Sequence, residues 1–386
     1  MSGRRGALPW LVLSLTLLFF SSAFSIALPP LLGACGGVPC FVLLYTSAQA
    51  GHLAASLLGE RPLRMKLSYL AWLCGVPAAL FYLLLALAEL ERGWLPLLIG
   101  AASWALALPA GGASFALLTV GLARLEVPVP WAELVGWLST LGLLLGPFLG
   151  PAALAAGALT ATVASLFATL LASPEAIRHL PPYPSEVELT RRLKAPLLLL
   201  GLCEGVILYL PYRLALLEQR TGLMLSLPFF LYAALGLLGS SLLRRPRLSS
   251  LLHALLFAMA FLYPQALALL LPLLGLFSKG SLAPLLARLL AFRPGVRPWA
   301  QLRADRVLKL GITAGVVLSW ALDAARLWRV TLLAAALSAL LLALPLGAPD
   351  DQVDAQQQKP QQEQRQGQGP LGRQARDLQR VGAHCG

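Results

Sequence analysis

Runs of about twenty apolar residues, the length a helix needs to cross a bilayer, recur along this chain with little sequence between them. They fall at 9–31, 39–58, 67–88, 94–122, 131–149 and 152–172, and after a polar segment at 195–217, 222–243, 250–270, 272–292, 306–323 and 330–347. A soluble fold has no way to hide so many long runs. Composition agrees: 58% of the 386 residues are hydrophobic and 12% are charged, against about 25% charged in an ordinary soluble domain. Each run is expected to be a helix, because a helix satisfies its own backbone where no water is at hand. The expected fold class is an all-α polytopic membrane protein. Twelve transmembrane helices would form two six-helix, pseudo-symmetric halves.

Arg4 and Arg5 precede the first run in the manner of a signal peptide. The run is too long for a signal's apolar core, and similar runs follow it, so it reads as the first span. With the N-terminus in the cytoplasm, 22 Lys and Arg residues fall on the cytoplasmic side and 4 on the other. That asymmetry is the positive-inside pattern, and a shift by one helix would scramble it. Both termini are therefore expected in the cytoplasm and the chain in a plasma or inner membrane. The net charge of +13 sits in short loops between apolar runs, so nucleic acid is not an expected partner.

The expected division is a first six-helix bundle over 1–172, a cytoplasmic central loop over 173–194, a second bundle over 195–347, and a disordered, Gln-rich cytoplasmic tail over 348–386. Such a polar tail cannot bury enough apolar surface to fold alone. A short repeat supports two related halves. Ser56-Leu57-Leu58-Gly59-Glu60-Arg61-Pro62 follows the second span, and Ser241-Leu242-Leu243-Arg244-Arg245-Pro246 follows the eighth.

The fifth span reads Gly142-Leu143-Leu144-Leu145-Gly146-Pro147-Phe148-Leu149-Gly150-Pro151. Gly142 and Gly146 share one helix face and let a second helix approach closely. Pro147 removes a backbone donor and is expected to bend the helix. Tight packing and a contact that slides during transport are both open readings of this face. The segment resembles GxxxGPxxGG, the helix-5 signature of the major facilitator superfamily, with Pro151 in the last Gly position. The resemblance implies two six-helix halves and, for that motif, antiport and efflux. The superfamily's loop between helices 2 and 3 resembles GxxxDxxGRR. Residues 51–66 supply Glu60, Arg61, Arg64 and Lys66 but no Asp. The resemblance also suggests that Glu60, Arg61, Arg64, Arg244, Arg245 and Arg247 form cytoplasmic gating loops. Setting topology and meeting anionic headgroups is the other reading of the same arginines.

Charge at mid-bilayer costs about 2.5–3.5 kcal/mol on insertion scales, so each such residue needs a reason. Glu204 lies about ten residues into the seventh span, between Gly201 and Gly205, with Tyr209 and Arg213 further on. A buried acid is costly to keep charged, which suits reversible protonation. A structural hydrogen bond is the alternative. Arg213 either lines the path or snorkels to the outer interface. Lys279 falls within the tenth span. Tyr45, Gln49 and His52 follow i, i+4, i+7 spacing in the second span. They form a polar stripe that would face a solute path or a helix-helix seam.

These residues point to a secondary transporter of a small solute working by alternating access, with protons as a candidate coupling ion. A non-transporting membrane scaffold or receptor with the same shell is the alternative. A membrane lipid transferase is the weakest reading, since Asp305 and Asp323 are far apart in sequence and no acidic metal cluster is evident. The sequence has no GxxxxGK phosphate loop and no CxxC, so neither a cofactor nor a metal is expected, and no catalytic residue is assigned. Expected partners are the solute, the lipid bilayer and protons, with the chain as a monomer.

Overall fold

The computed structural model describes residues 8–20, 22, 23, 26, 66–90, 98, 101, 129–149, 151–170, 191–216, 218–242, 246–290 and 297–343. In chain order the helices are α1 (Leu8–Phe20), α2 (Leu67–Leu90), α3 (Val129–Leu145), α4 (Pro151–Leu170), α5 (Arg191–Leu216), α6 (Gly222–Leu242), α7 (Pro246–Leu262), α8 (Leu267–Leu290), α9 (Arg297–Ala324) and α10 (Arg329–Ala343). Among the described residues, four apolar stretches are long enough to cross a membrane: Ala152–Leu170, Leu193–Ala215, Gly222–Gly239 and Arg306–Ala324. Exposed Leu, Val and Phe side chains such as Leu159, Phe167, Leu269 and Leu337 face outward, as a lipid-facing surface requires.

Two sequence expectations change. The break between the ninth and tenth spans lies at Pro264, not near Pro272. Tyr263 has φ −124° and ψ 72°, and Pro264–Ala266 form a 3-10 turn before α8 begins. Proline pushes its predecessor out of helical geometry, so Pro264 sets the boundary, while Pro272 lies inside α8. Pro147 does not bend a continuing helix. α3 ends at Leu145, Gly146–Phe148 form a 3-10 turn, and Leu149 is extended with ψ 110°. The proline acts as a stop.

The largest helix pairings among the described elements are α5 with α9, α6 with α8, α2 with α4, and α7 with α10. Glycines set the first of these. A Cβ on Gly201 would meet Leu308 O at 2.2 Å, and one on Gly205 would meet Ile312 O at 2.2 Å. From the other side, a Cβ on Gly311 would meet Leu198 O at 2.3 Å, and one on Gly315 would meet Leu202 O at 2.3 Å. Four small residues therefore bring two backbones into direct contact, where association rests on close van der Waals packing.

The first half repeats this device. A Cβ on Gly142 would meet Phe19 O at 2.2 Å, and one on Gly146 would meet Ala23 O at 2.5 Å. The sequence offset from Gly142 to Gly311 equals that from Gly146 to Gly315. The offset from Phe19 to Leu198 equals that from Ala23 to Leu202. The α1–α3 contact is thus the counterpart of α5–α9, a correspondence at atomic register that fits two related halves. The glycine face of α3 packs within its own half, and α3 also packs against α6 of the second half.

Polar side chains within the helices mostly satisfy themselves. Ser14, Ser165, Ser319 and Ser338 each donate to the carbonyl one turn back, a bond that removes the cost of a hydroxyl in an apolar setting. Hydroxyls that break this habit mark places where helices are joined.

Steric room differs among the glycines, and substitution should read it. Gly311→Ala drives a methyl into the Leu198 carbonyl, while Gly157→Ala meets the rim of the Phe20 ring at 2.4 Å, which can swing aside. Gly311→Ala is expected to cost about 1–3 kcal/mol, the usual overpacking penalty, seen as a lower thermal midpoint in detergent. Gly157→Ala should change the midpoint far less. Equal losses would contradict the backbone-contact account.

Candidate functional site

α5 begins at Arg191, passes its glycine face along α9, and carries Glu204 on a neighbouring face. Tyr232 Oη on α6 donates to Glu204 Oε2 at 2.7 Å, and Ser278 Oγ on α8 donates to Glu204 Oε1. Both carboxylate oxygens thus accept a hydroxyl from a different helix. Ser278 is fully buried and Tyr232 nearly so. Ser278 gives its proton to Glu204 and not to its own helix. The adjacent Cys203 thiol donates to Ala335 O on α10 at 3.4 Å. Residues 203 and 204 therefore tie α5 to three neighbours.

Two further glycines make this convergence possible. A Cβ on Gly275 would lie 2.0 Å from Tyr232 O, and one on Gly239 would lie 2.1 Å from Leu276 O. The α6 and α8 backbones meet beside Tyr232 and Ser278, so both hydroxyls reach the one carboxylate.

Further along α5 from Glu204, Tyr209 Oη donates to Asp323 Oδ2 at 2.6 Å, and Arg213 Nη1 donates to Asp323 Oδ1. The Arg213 guanidinium also lies over the Trp328 ring, 3.9 Å from its centroid, a favourable cation–π placement. Local structure explains how Trp328 reaches it. α9 ends in a Schellman turn: Arg326 N donates to Asp323 O at 2.9 Å and Leu327 N to Leu322 O at 2.6 Å. Arg326 holds the left-handed position, φ 60°. The chain doubles back at once and sets Trp328 against α5.

Of the residues singled out in the sequence, Glu204, Tyr209 and Arg213 all lie on α5, but in two separate clusters. Arg213 is not a free snorkelling cation, because it pairs with Asp323. Asp323 has a partner although it stands far from Asp305 in sequence. Arg247 is exposed at the start of α7. Lys279 lies within α8 by its backbone. Tyr45, Gln49, His52, Glu60, Arg61, Arg64, Gly150, Arg244 and Arg245 lie outside the described residues. No group of three His, Cys, Asp or Glu residues able to hold a metal occurs among the described residues.

Sequence reading missed Tyr232, Ser278, Asp323 and Trp328 as partners. Asp323 gave one signal, an acid in the last turn of an apolar span. Tyr232 and Ser278 gave none, since one hydroxyl in an apolar helix is unremarkable until its neighbours are placed.

The Arg213–Asp323 pair is well buried, with side-chain exposures of 14% and 9%. Removing one partner of such a pair costs about 3–5 kcal/mol, because the other charge is stranded. Asp323→Leu is expected to lower thermal stability on that scale. Adding Arg213→Met should recover part of the loss. A double variant no better than Asp323→Leu alone would show that the pair is not what holds this end of α5.

Comparison with known protein families finds no match, and neither does comparison with curated proteins. Solved structures do match. The nucleoside transporter NupG aligns at TM-score 0.55 and 14% identity, covering 88% of this chain and 98% of its own. The human organic anion transporter MFSD10 aligns at 0.54 and 18% identity, covering 90% and 99%. A D-xylose-proton symporter aligns at 0.53 and 15% identity, covering 89% and 96%. All three are major facilitator superfamily transporters. At these identities the likeness establishes the fold, and it extends over nearly the full length on both sides. This chain therefore has the twelve-helix, two-half fold of the major facilitator superfamily.

Proposed function

We propose that this protein is a secondary active transporter, not an enzyme, that moves a small solute through a bilayer by alternating access of its two halves. We further propose that Glu204 couples the movement to protons. The observation that carries this reading is the junction at Glu204, where one carboxylate accepts hydroxyl bonds from both α6 and α8. An ionised carboxylate is acceptor-only, while a protonated one must donate from one oxygen. Taking up a proton therefore puts a donor on one oxygen, and the Tyr232 or Ser278 hydroxyl facing it must turn to accept or donate more weakly. The packing of α5, α6 and α8 then depends on the charge of a single group, which is what a proton-driven rocking motion needs.

The helix-5 resemblance favours proton-coupled efflux, and the loop charge asymmetry favours both termini in the cytoplasm of a cell-membrane protein, which we take to act as a monomer. The same pair of hydroxyl bonds also suits a purely structural role in a membrane scaffold, so the test must separate the two. Purified protein in liposomes holding a pH-sensitive dye would be exposed to a panel of drugs, sugars, amino acids and organic acids. With wild type, at least one solute is expected to drive proton movement. Glu204→Gln should abolish that movement while the same solute still raises thermal stability. Proton movement unchanged in Glu204→Gln would contradict the assigned role. A panel in which no solute moves protons or stabilises the protein would favour the scaffold.

A further inference from the structure

An added proton at Glu204 has two places to sit: Oε1, which faces Ser278 of α8, or Oε2, which faces Tyr232 of α6. The two hydroxyls also interact with each other. The choice is decided by what each hydroxyl can do once the carboxylate oxygen beside it becomes a donor.

Ser278 has a second acceptor built into its own helix. The carbonyl one turn back is Leu274 O, and Leu274 is fully buried. Ser14, Ser165, Ser319 and Ser338 each donate to the carbonyl in that position. Such back-bonding is an ordinary state of a helical serine, and Ser278 departs from it where a carboxylate is at hand. Tyr232 has no such outlet. Its hydroxyl stands at the far end of a rigid ring, beyond reach of its own helix's carbonyls. The side chain is buried, and its backbone carbonyl is pressed against Gly275. A phenolic O–H also keeps to the plane of its ring, whereas a serine O–H rotates to suit its surroundings. Acid strength points the same way. A phenol is a more acidic hydroxyl than an alcohol, so Tyr232 is the better donor and Ser278 the better acceptor.

We infer that Glu204 takes its proton on Oε1 and that Ser278 is the hydroxyl that reverses. In the charged state both hydroxyls donate to the carboxylate. In the neutral state Ser278 turns its proton to Leu274 O and accepts the acid proton on Oγ. Tyr232 goes on donating to Oε2, now the carbonyl oxygen. One proton is added, and no O–H bond of either side chain breaks. This inference rests on the proton-coupling reading and states which helix registers the proton. The bond from α6 persists in both states. The bond with α8 changes direction and loses its charge assistance, which makes a hydrogen bond roughly twice as strong as a neutral one. α7 is next in line, because Ser249 Oγ donates to the adjacent carbonyl, Phe277 O, at 2.7 Å. Ser278 is thus a positioning residue for proton uptake, and α8 with α7 is the part of the second half that uptake addresses.

The test is infrared difference spectroscopy on full-length protein in phosphatidylcholine nanodiscs, stepped from mildly alkaline to mildly acidic pH. The carboxylic-acid carbonyl band that Glu204→Gln removes belongs to Glu204. A carbonyl band rises in frequency when its oxygen loses a donor. Tyr232→Phe keeps the ring and removes the donor to Oε2, so it is expected to raise the band. Ser278→Ala removes a group that no longer donates to the carbonyl, and should move the band much less. Ser278→Thr keeps the hydroxyl and should leave the band in place. If Tyr232→Phe does not fold, replacing Tyr232 with 3-fluorotyrosine strengthens the donor at little change of shape, and should lower the band.

A larger upward shift in Ser278→Ala than in Tyr232→Phe would place the proton on Oε2. That result would overturn the inference and leave proton coupling intact. Equal shifts in the two variants, or none in either, would also overturn it. A wild type with no Glu204 carbonyl band would defeat the proton-coupling reading itself, and this inference with it.

Discussion

The backbone contact between α5 and α9 is the constraint on which the second half depends. Four glycines face one another, and each occupies space where a methyl would strike the opposing main chain. Nothing in a bilayer pushes two apolar helices together, so contact must come from shape. Once α9 lies flush on α5, Asp323 arrives beside Tyr209 and Arg213, and the Schellman turn at Arg326 returns Trp328 to the same place. The polar cluster follows from the glycine contact and secures its far end.

A second glycine contact, between α6 and α8, has the same consequence for Glu204. Gly275 admits the Tyr232 backbone, and the side chains of Tyr232 and Ser278 then close on the carboxylate. In each case small residues set the distance and polar residues use it. α5 is common to both, with its glycine face on α9 and Glu204 on a neighbouring face. That placement makes α5 the element through which a change at Glu204 would reach the rest of the half.

Much of this was legible in the sequence, and the limits have physical causes. The apolar runs at 67–88, 152–172, 195–217 and 222–243 locate α2, α4, α5 and α6 closely, because bilayer thickness fixes a helix's length. The ninth and tenth spans were misdivided because an apolar run with two prolines offers two breaks, and hydropathy cannot choose between Pro264 and Pro272. Pro147 was read as a bend because residues 131–149 look continuous, whereas the glycine before it and the extended Leu149 after it end the helix. Glu204 and Arg213 stood out because charge is rare in such helices. Their partners did not, since a Tyr on α6 and a Ser on α8 become meaningful only when three helices are assembled. Gly311 and Gly315 show the small-xxx-small spacing of Gly142 and Gly146 but lie in a run with no proline to draw notice. The matching register of the two glycine contacts is tertiary information that neither half displays alone.

The central claim is that Glu204 changes protonation and that solute binding feels the change. Infrared difference spectroscopy on the purified protein in lipid, stepped between mildly acidic and mildly alkaline pH, measures this directly. The account predicts a carboxylic-acid carbonyl band that appears reversibly on acidification, is missing in Glu204→Gln, and shifts its midpoint when a stabilising solute is bound. A Glu204 carboxylate that stays ionised throughout that range, or a band indifferent to every bound solute, would contradict it.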